Sequence, residues 1–229
     1  MKKVSMILLV AASFNTHADL LEQHAQYISQ LFTKTEALEA KTNYLDNQIK
    51  SNKHYIGEHY RGGIIFYVDK KGQHGLIASL RDGNRQGIQW RNGTSGNKTT
   101  NARGDGLGAG ETNTRLIIAQ QTIDDQKGNF AALMAANFKV QEDGITPCKT
   151  PIAKDTVCYG GWYLPSAFEL QLMHANLAQS NVSAFAPEYY WSSTESDMSN
   201  AWLVNFSTGE LIASSKSSTL GQVRPITQF

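Results

Sequence analysis

With 229 residues, of which 41% are apolar, 18% charged and 10% aromatic, the chain has the makings of one sizeable globular domain with an appendage, or of two small ones, rather than a disordered segment. Its 21 Lys and Arg almost balance 20 Asp and Glu, and a formal charge of +1 removes any bulk electrostatic case for nucleic acid. No apolar run reaches the roughly 20 residues of a transmembrane segment, and the Gly residues follow no Gly-X-Y register, so the chain cannot form a collagen helix by itself.

At the N-terminus, Lys2 and Lys3 precede an apolar stretch from Val4 to Phe14 and then Thr16-His17-Ala18, which ends in a small residue as a cleavage site does. Residues 1–18 read as a signal peptide, with a buried N-terminal helix as the alternative. No Cys follows Ala18 to carry a lipid. The protein is therefore expected to be secreted, either extracellular or associated with the cell surface.

Residues 19–56 hold neither Gly nor Pro, and apolar positions recur there in steps of three and four. Leu21, Ile28, Thr35, Thr42, Ile49 and Ile56 fall at a positions, and His24, Leu31, Leu38, Leu45 and Asn52 fall at d. Lys34 would face Glu39 of a neighbouring strand, and Lys41 would face Asp46, the pairing expected between parallel strands. A single helix of this length would measure about 57 Å and overhang the domain, leaving its apolar stripe in water. The segment is predicted to be a parallel coiled-coil stalk. A helix lying on the head is the alternative, and two strands or three stay open.

The head, 57–229, reads as an α+β domain. Ile64–Val68 and Gly75–Ala78 flank Asp69-Lys70-Lys71-Gly72, a hairpin signal. Residues 81–110 carry little periodicity beyond Ile88 and Trp90 and are predicted to be surface loop. Helices are predicted over 112–125 and 129–138, broken at Lys127-Gly128. Cys148 and Cys158 would close a short loop in an oxidising compartment, worth about 2–3 kcal/mol. A zinc site would need further ligands nearby, and a reactive dithiol is the second reading. Ser166 and Glu169 form a capping box before an apolar helix. Strands follow over 189–193, 201–206, 211–213 and 223–226, with Trp202, Val204 and Phe206 on one buried face. Strands at both ends of the head suggest that its termini meet in one sheet.

The chemistry of the head favours binding over catalysis. His59, His74 and His174 show no metal-ligand spacing, and no Gly-x-Ser-x-Gly elbow occurs. No metal, cofactor or enzymatic activity is implied. Gly104-Asp105-Gly106-Leu107-Gly108-Ala109-Gly110 precedes a helix like a phosphate-cradling loop, but it lacks a preceding buried strand and a Gly-Lys-Ser/Thr. Between positions 81 and 103, Arg81, Arg85, Arg91, Lys98 and Arg103 face only one acid, Asp82. Guanidinium groups hold sulfate or carboxylate through paired hydrogen bonds, so these five are the candidate ligand-binding residues. For Arg91 and Arg103 the alternative is pairing with local acids or covering the core. Trp90, Trp162, Trp191 and Trp202 sit in core-like patterns.

The head resembles the C-terminal domain family of the collagen-like adhesin of Legionella. The likeness rests on Gly62-Gly63-Ile64-Ile65-Phe66-Tyr67-Val68-Asp69, Gly72-Gln73-His74-Gly75-Leu76-Ile77-Ala78, Ile88-Gln89-Trp90-Arg91-Asn92-Gly93 and Gly104-Asp105-Gly106. It continues through Gly161-Trp162-Tyr163-Leu164-Pro165-Ser166, Glu169-Leu170, Tyr190-Trp191-Ser192-Ser193-Thr194-Glu195, Asn200-Ala201-Trp202 and Val223-Arg224. The resemblance implies a fold similar to C-type lectins, a homotrimer, and adhesion through glycosaminoglycan-like polysaccharide. The family's collagen repeats are absent, and the Cys148–Cys158 insertion departs from its pattern. No Glu-Pro-Asn or Trp-Asn-Asp triplet appears, so calcium is not implied. The reading that follows is a secreted trimeric adhesin for anionic polysaccharide; the alternative is an assembly head that binds a protein partner.

Overall fold

The computed structural model describes residues 2–51, 53–84, 86–93, 96–178, 185–186 and 188–229, without the side chains of 2–18 and 48–51. The chain divides into two compact units, Met1–Lys53 and His54–Phe229.

The first unit is one helix, α1 (Lys2–Ser51). The backbone of the expected signal segment lies on it, and so does that of Ile49, whose side chain is outside the described residues. All described side chains from Asp19 to Asn47 are exposed. They include the predicted seam residues Leu21 (65%), Ile28 (53%), Leu31 (47%), Leu38 (63%) and Leu45 (49%). The two Thr at a positions turn their hydroxyls inward: Thr35 Oγ1 donates to Leu31 O and Thr42 Oγ1 to Leu38 O, both at 2.9 Å. Each then presents its methyl group with the hydroxyl already satisfied. Ile56 does not extend this helix. It lies in a turn of the second unit, where Glu58 N donates to Tyr55 O, and Gly57, at φ 92°, bonds to Ile65 O. The second unit takes in His54 as well, because His54 N donates to Gly72 O.

The second unit is mixed α+β, with antiparallel sheets only. One sheet has the order β1-β2-β3-β9, from β1 (His59–Tyr60), β2 (Gly63–Val68), β3 (Gly75–Ser79) and β9 (Ile226–Gln228). Its first and last strands come from the two ends of the unit, as the sequence suggested. The predicted hairpin forms β2 and β3, and Asp69 Oδ1 accepts Gln73 N at 3.0 Å across its turn. Helices α2 (Ala109–Gln121) and α3 (Ala131–Asn137) follow. A short pair, β4 (Val140–Gln141) and β5 (Cys158–Tyr159), brackets the Cys148–Cys158 disulfide. Helix α4 (Ala167–Met173) carries the predicted capping box, with Glu169 N donating to Ser166 Oγ and Ser166 N to Glu169 Oε2. It continues into a π-helical turn, His174–Ala178. A second sheet, β6 (Tyr189–Glu195), β7 (Asn200–Asn205) and β8 (Leu211–Ser215), completes the unit.

Continuous apolar runs in β2 and β7 arise because both strands are covered on two faces. Ile64 and Phe66 enter one apolar cluster, and Ile65 enters another. In β7, Leu203 and Val204 are buried on opposite sides, whereas Trp202 is only half-buried. The expectation that Trp202 shares the buried face with Val204 is thus corrected. Of the strand expected over 223–226 only Ile226 joins β9, and residues 221–225 instead link the sheets: Trp191 N donates to Gln222 O, Gly83 N to Val223 O and Ser79 N to Pro225 O.

The stretch 81–110 departs furthest from expectation. No helix or strand forms among its described residues before Ala109, yet Ile88, Trp90, Asn92, Thr100 and Ala102 are buried. Trp90 Nε1 donates to Ser192 O at 2.8 Å, and Trp191 Nε1 returns to Ile88 O at 2.7 Å. Below this crossing lies a fully buried ion pair between Glu195 and Lys216. Glu195 Oε1 also accepts Thr100 N at 2.7 Å, and Oε2 accepts Asn101 N at 3.0 Å. Lys216 Nζ donates to Lys98 O at 2.9 Å and Met198 O at 3.0 Å, and it lies 4.7 Å from the centre of the Trp90 ring. Burial pushes the Lys216 ammonium below its usual range, against the pull of Glu195. Replacing Lys216 by Met strands a buried carboxylate and is expected to cost about 3–5 kcal/mol in urea denaturation. Glu195→Gln/Lys216→Met should recover part of that loss. A single variant within about 0.5 kcal/mol of wild type would mean that the pair does not anchor the loop.

Candidate functional site

Three segments enclose a polar cleft of about 470 Å³. The first is the turn after β3, where Ser79 Oγ donates to Arg81 O at 2.9 Å and presents the Arg81 side chain. The second is the end of α3, which contributes Asn137, Phe138 and Lys139, with Asn129 from just before the helix. The third is the disulfide loop, contributing Pro147, Cys148 and Thr150. Cys148 N donates to Lys139 O at 3.3 Å, and Val140 bridges Pro147, so the loop is hydrogen-bonded back to the strand it leaves.

Among the described residues Arg81 makes one side-chain hydrogen bond. Its Nη1 donates to Ile145 O at 3.1 Å, and its guanidinium carbon lies 5.8 Å from the Phe138 ring centre. Its Nε is buried without a hydrogen-bond partner. Ile145 is positioned by Asp143, whose carboxylate accepts the backbone N–H groups of Ile145 and Thr146 at 2.9 and 2.8 Å. The Thr146 hydroxyl, together with these backbone donors, holds the Asp143 carboxyl below its ordinary range. The cleft therefore offers two cations, Arg81 and Lys139, with side-chain amides and a hydroxyl, and no carboxylate lines it. Such a surface suits a sulfate or carboxylate.

The other predicted ligand-binding residues go elsewhere. Arg91 Nη1 donates to Asn97 Oδ1 at 2.8 Å, and Asn97 in turn reaches Ser199. Lys98 pairs with Asp124. Arg103, 60% exposed, sits with its Nε 3.8 Å from Glu195 Oε2. Arg85 lies outside the described residues. For Arg91 and Arg103 the alternative is a local acid or a core-covering role; Arg103 approaches an acid that is remote in sequence, Glu195, and Arg91 bonds an amide. Lys139, Asn129 and Asn137 gave no local signal in the sequence, because they join Arg81 only through the packing of α3 against the disulfide hairpin.

The glycine-rich loop 104–110 is occupied from within. Gly108 N donates to Glu169 Oε1 at 2.8 Å and Gly110 N to Oε2 at 3.2 Å, so a protein carboxylate fills the place a phosphate would take. A Cβ on Gly110 would lie 2.4 Å from Glu169 Oε2 and 2.7 Å from Leu164 O, and only glycine allows this approach. Tyr163 Oη adds a bond to Oε1 at 3.3 Å. Burial pushes the Glu169 carboxyl above its usual range, opposed by hydrogen bonds from Ser166, Gly108 and Gly110.

Among the described residues no group of three or more His, Cys, Asp or Glu could hold a metal, and no helix is long and apolar enough to cross a membrane. The chain matches no family model, and no curated protein is significantly similar to it.

Because its folded pKa is depressed, Asp143 contributes stability that is complete above the ordinary aspartate pKa and is lost as pH falls through the lower folded value. The stability difference between wild type and Asp143→Ala, followed by urea titration across pH, should hold steady to the ordinary aspartate range and shrink only in stronger acid. A difference that persists unchanged in strong acid would remove Asp143 from this role.

Proposed function

We propose that the protein is a secreted, homotrimeric adhesin that holds anionic, glycosaminoglycan-like polysaccharide in the Arg81–Lys139 cleft. The observation that carries this reading is the cleft's lining: two cations and several neutral hydrogen-bonding groups, with no carboxylate among them. The resemblance of the head to the adhesin C-terminal domain family, and through it to the C-type-lectin fold, agrees with the same reading.

The stalk supplies the affinity that one shallow site lacks. A single millimolar contact is worth only about 4 kcal/mol, whereas linked copies on one polymer gain about 10²–10⁴ when their spacing allows joint engagement. Exposed Leu21, Ile28, Leu31, Leu38 and Leu45 form the face that a parallel coiled coil would bury. Ile49 extends the same register, and Thr35 and Thr42 have hydroxyls already bonded within the helix.

The secreted chain should bind heparin at low salt and release it as salt rises. Arg81→Glu/Lys139→Glu is expected to weaken retention at least about tenfold, one such factor being about 1.4 kcal/mol. Leu31→Asp/Leu38→Asp should sediment as a monomer and lose the avidity gain. Salt-insensitive retention, or full retention by the charge-reversed variant, would sink the polysaccharide reading. A blank heparin column beside stoichiometric capture of one surface protein would favour the assembly-head alternative.

A further inference from the structure

A second cleft, of about 260 Å³, lies between the Asp69–Gly75 turn and the Leu107–Gly108 loop. Its chemistry is opposite to that of the Arg81–Lys139 cleft, and the two share no lining residue. Tyr67 and Phe229 supply aromatic rings, Leu76 and Leu107 supply aliphatic surface, and Asp69 and His74 are polar. We infer that this cleft is a binding site for a small ligand that carries a primary ammonium on a ring with an apolar face, as a hexosamine with a free amino group does.

Asp69 is the group that selects the ammonium. Its Oδ1 accepts Gln73 N at 3.0 Å and lies 3.5 Å from His74 N, and the carboxylate is open to solvent at the mouth of the cleft. The backbone donors of the turn keep this carboxyl below its ordinary range, so it is ionised at neutral pH. No Lys or Arg lines the cleft to neutralise it. An ammonium beside a carboxylate and over aromatic faces gains both ion pairing and cation–π attraction.

The aromatic wall is fixed before any ligand arrives. The Phe229 ring meets His54 and Tyr60 edge-on, at 4.9 and 5.4 Å between centres. It also closes on Gly75, where an added Cβ would lie 2.7 Å from Phe229 Cε1 and 2.1 Å from Tyr67 O. Glycine at 75 therefore lets the ring lie against the strand. A hexosamine placing its C–H face on this wall would direct its ammonium to Asp69 and a hydroxyl to the His74 ring.

The test is an NMR titration of the full chain in neutral buffer with glucosamine, N-acetylglucosamine and glucose. Glucosamine should shift the amides of Tyr67, His74, Leu107 and Phe229 and saturate in roughly the millimolar range, with the other two sugars at least about tenfold weaker. Asp69→Asn keeps a carbonyl acceptor for the turn and should erase that preference. Leu107→Arg alters an exposed side chain and should block all binding while the spectrum stays folded. Equal shifts with glucose and glucosamine, an intact preference in Asp69→Asn, or no response to glucosamine would each overturn the proposal. None of these outcomes bears on heparin binding through Arg81 and Lys139.

Discussion

Two opposite charges withdrawn from water, Glu195 at the end of β6 and Lys216 just past β8, hold the loop-rich side of the head in one arrangement. Neither is tolerable there alone, since an unpaired buried charge costs several kcal/mol. Each also uses its remaining hydrogen-bonding capacity on backbone: Glu195 on Thr100 and Asn101, Lys216 on Lys98 and Met198. A segment without helix or strand has no ladder to satisfy its backbone, and buried polar groups must find partners. Here the ion pair partners Lys98 O, Thr100 N and Asn101 N, and Trp90 is buried beside it.

The same device recurs. Glu169 gathers Gly108, Gly110 and Ser166 at the start of α4. Arg224 lies buried between sheets, donating to Ser79 O at 2.9 Å and pairing with Asp82 at 2.8 Å, with its guanidinium 4.4 Å from the Phe185 ring centre. Irregular chain pinned by buried charge leaves the outer face of each loop available for recognition, a common division of labour between scaffold and loop. The two clefts belong to this surface. One is walled by the disulfide hairpin and positively charged, the other by the β2–β3 turn and negatively charged.

Much of the architecture was legible locally. The hairpin of β2 and β3 announces itself by apolar runs around Asp69–Gly72, and the capping box by Ser166 and Glu169 three residues apart. The meeting of the head's termini followed from strands at both ends. The helix boundaries moved by a few residues, since α2 starts at Ala109 and α1 ends at Ser51 rather than reaching Ile56. Charge was the misleading signal. Arg81, Arg91, Lys98 and Arg103 look like one basic segment in one dimension, but each takes a different partner once the chain folds.

By itself the sequence determined what depends on near neighbours: periodicity, turns, caps, the apolar stripe of the N-terminal helix, and the short separation that lets Cys148 and Cys158 join. Tertiary structure decided what depends on residues far apart, and for a physical reason: burial and electrostatics are set by whatever comes within a few ångströms in space. Thr100 and Glu195, Gly108 and Glu169, and Arg81 and Lys139 are remote along the chain. No local pattern encodes that Glu169 would fill the glycine loop, or that Lys139 would join Arg81 across a cleft.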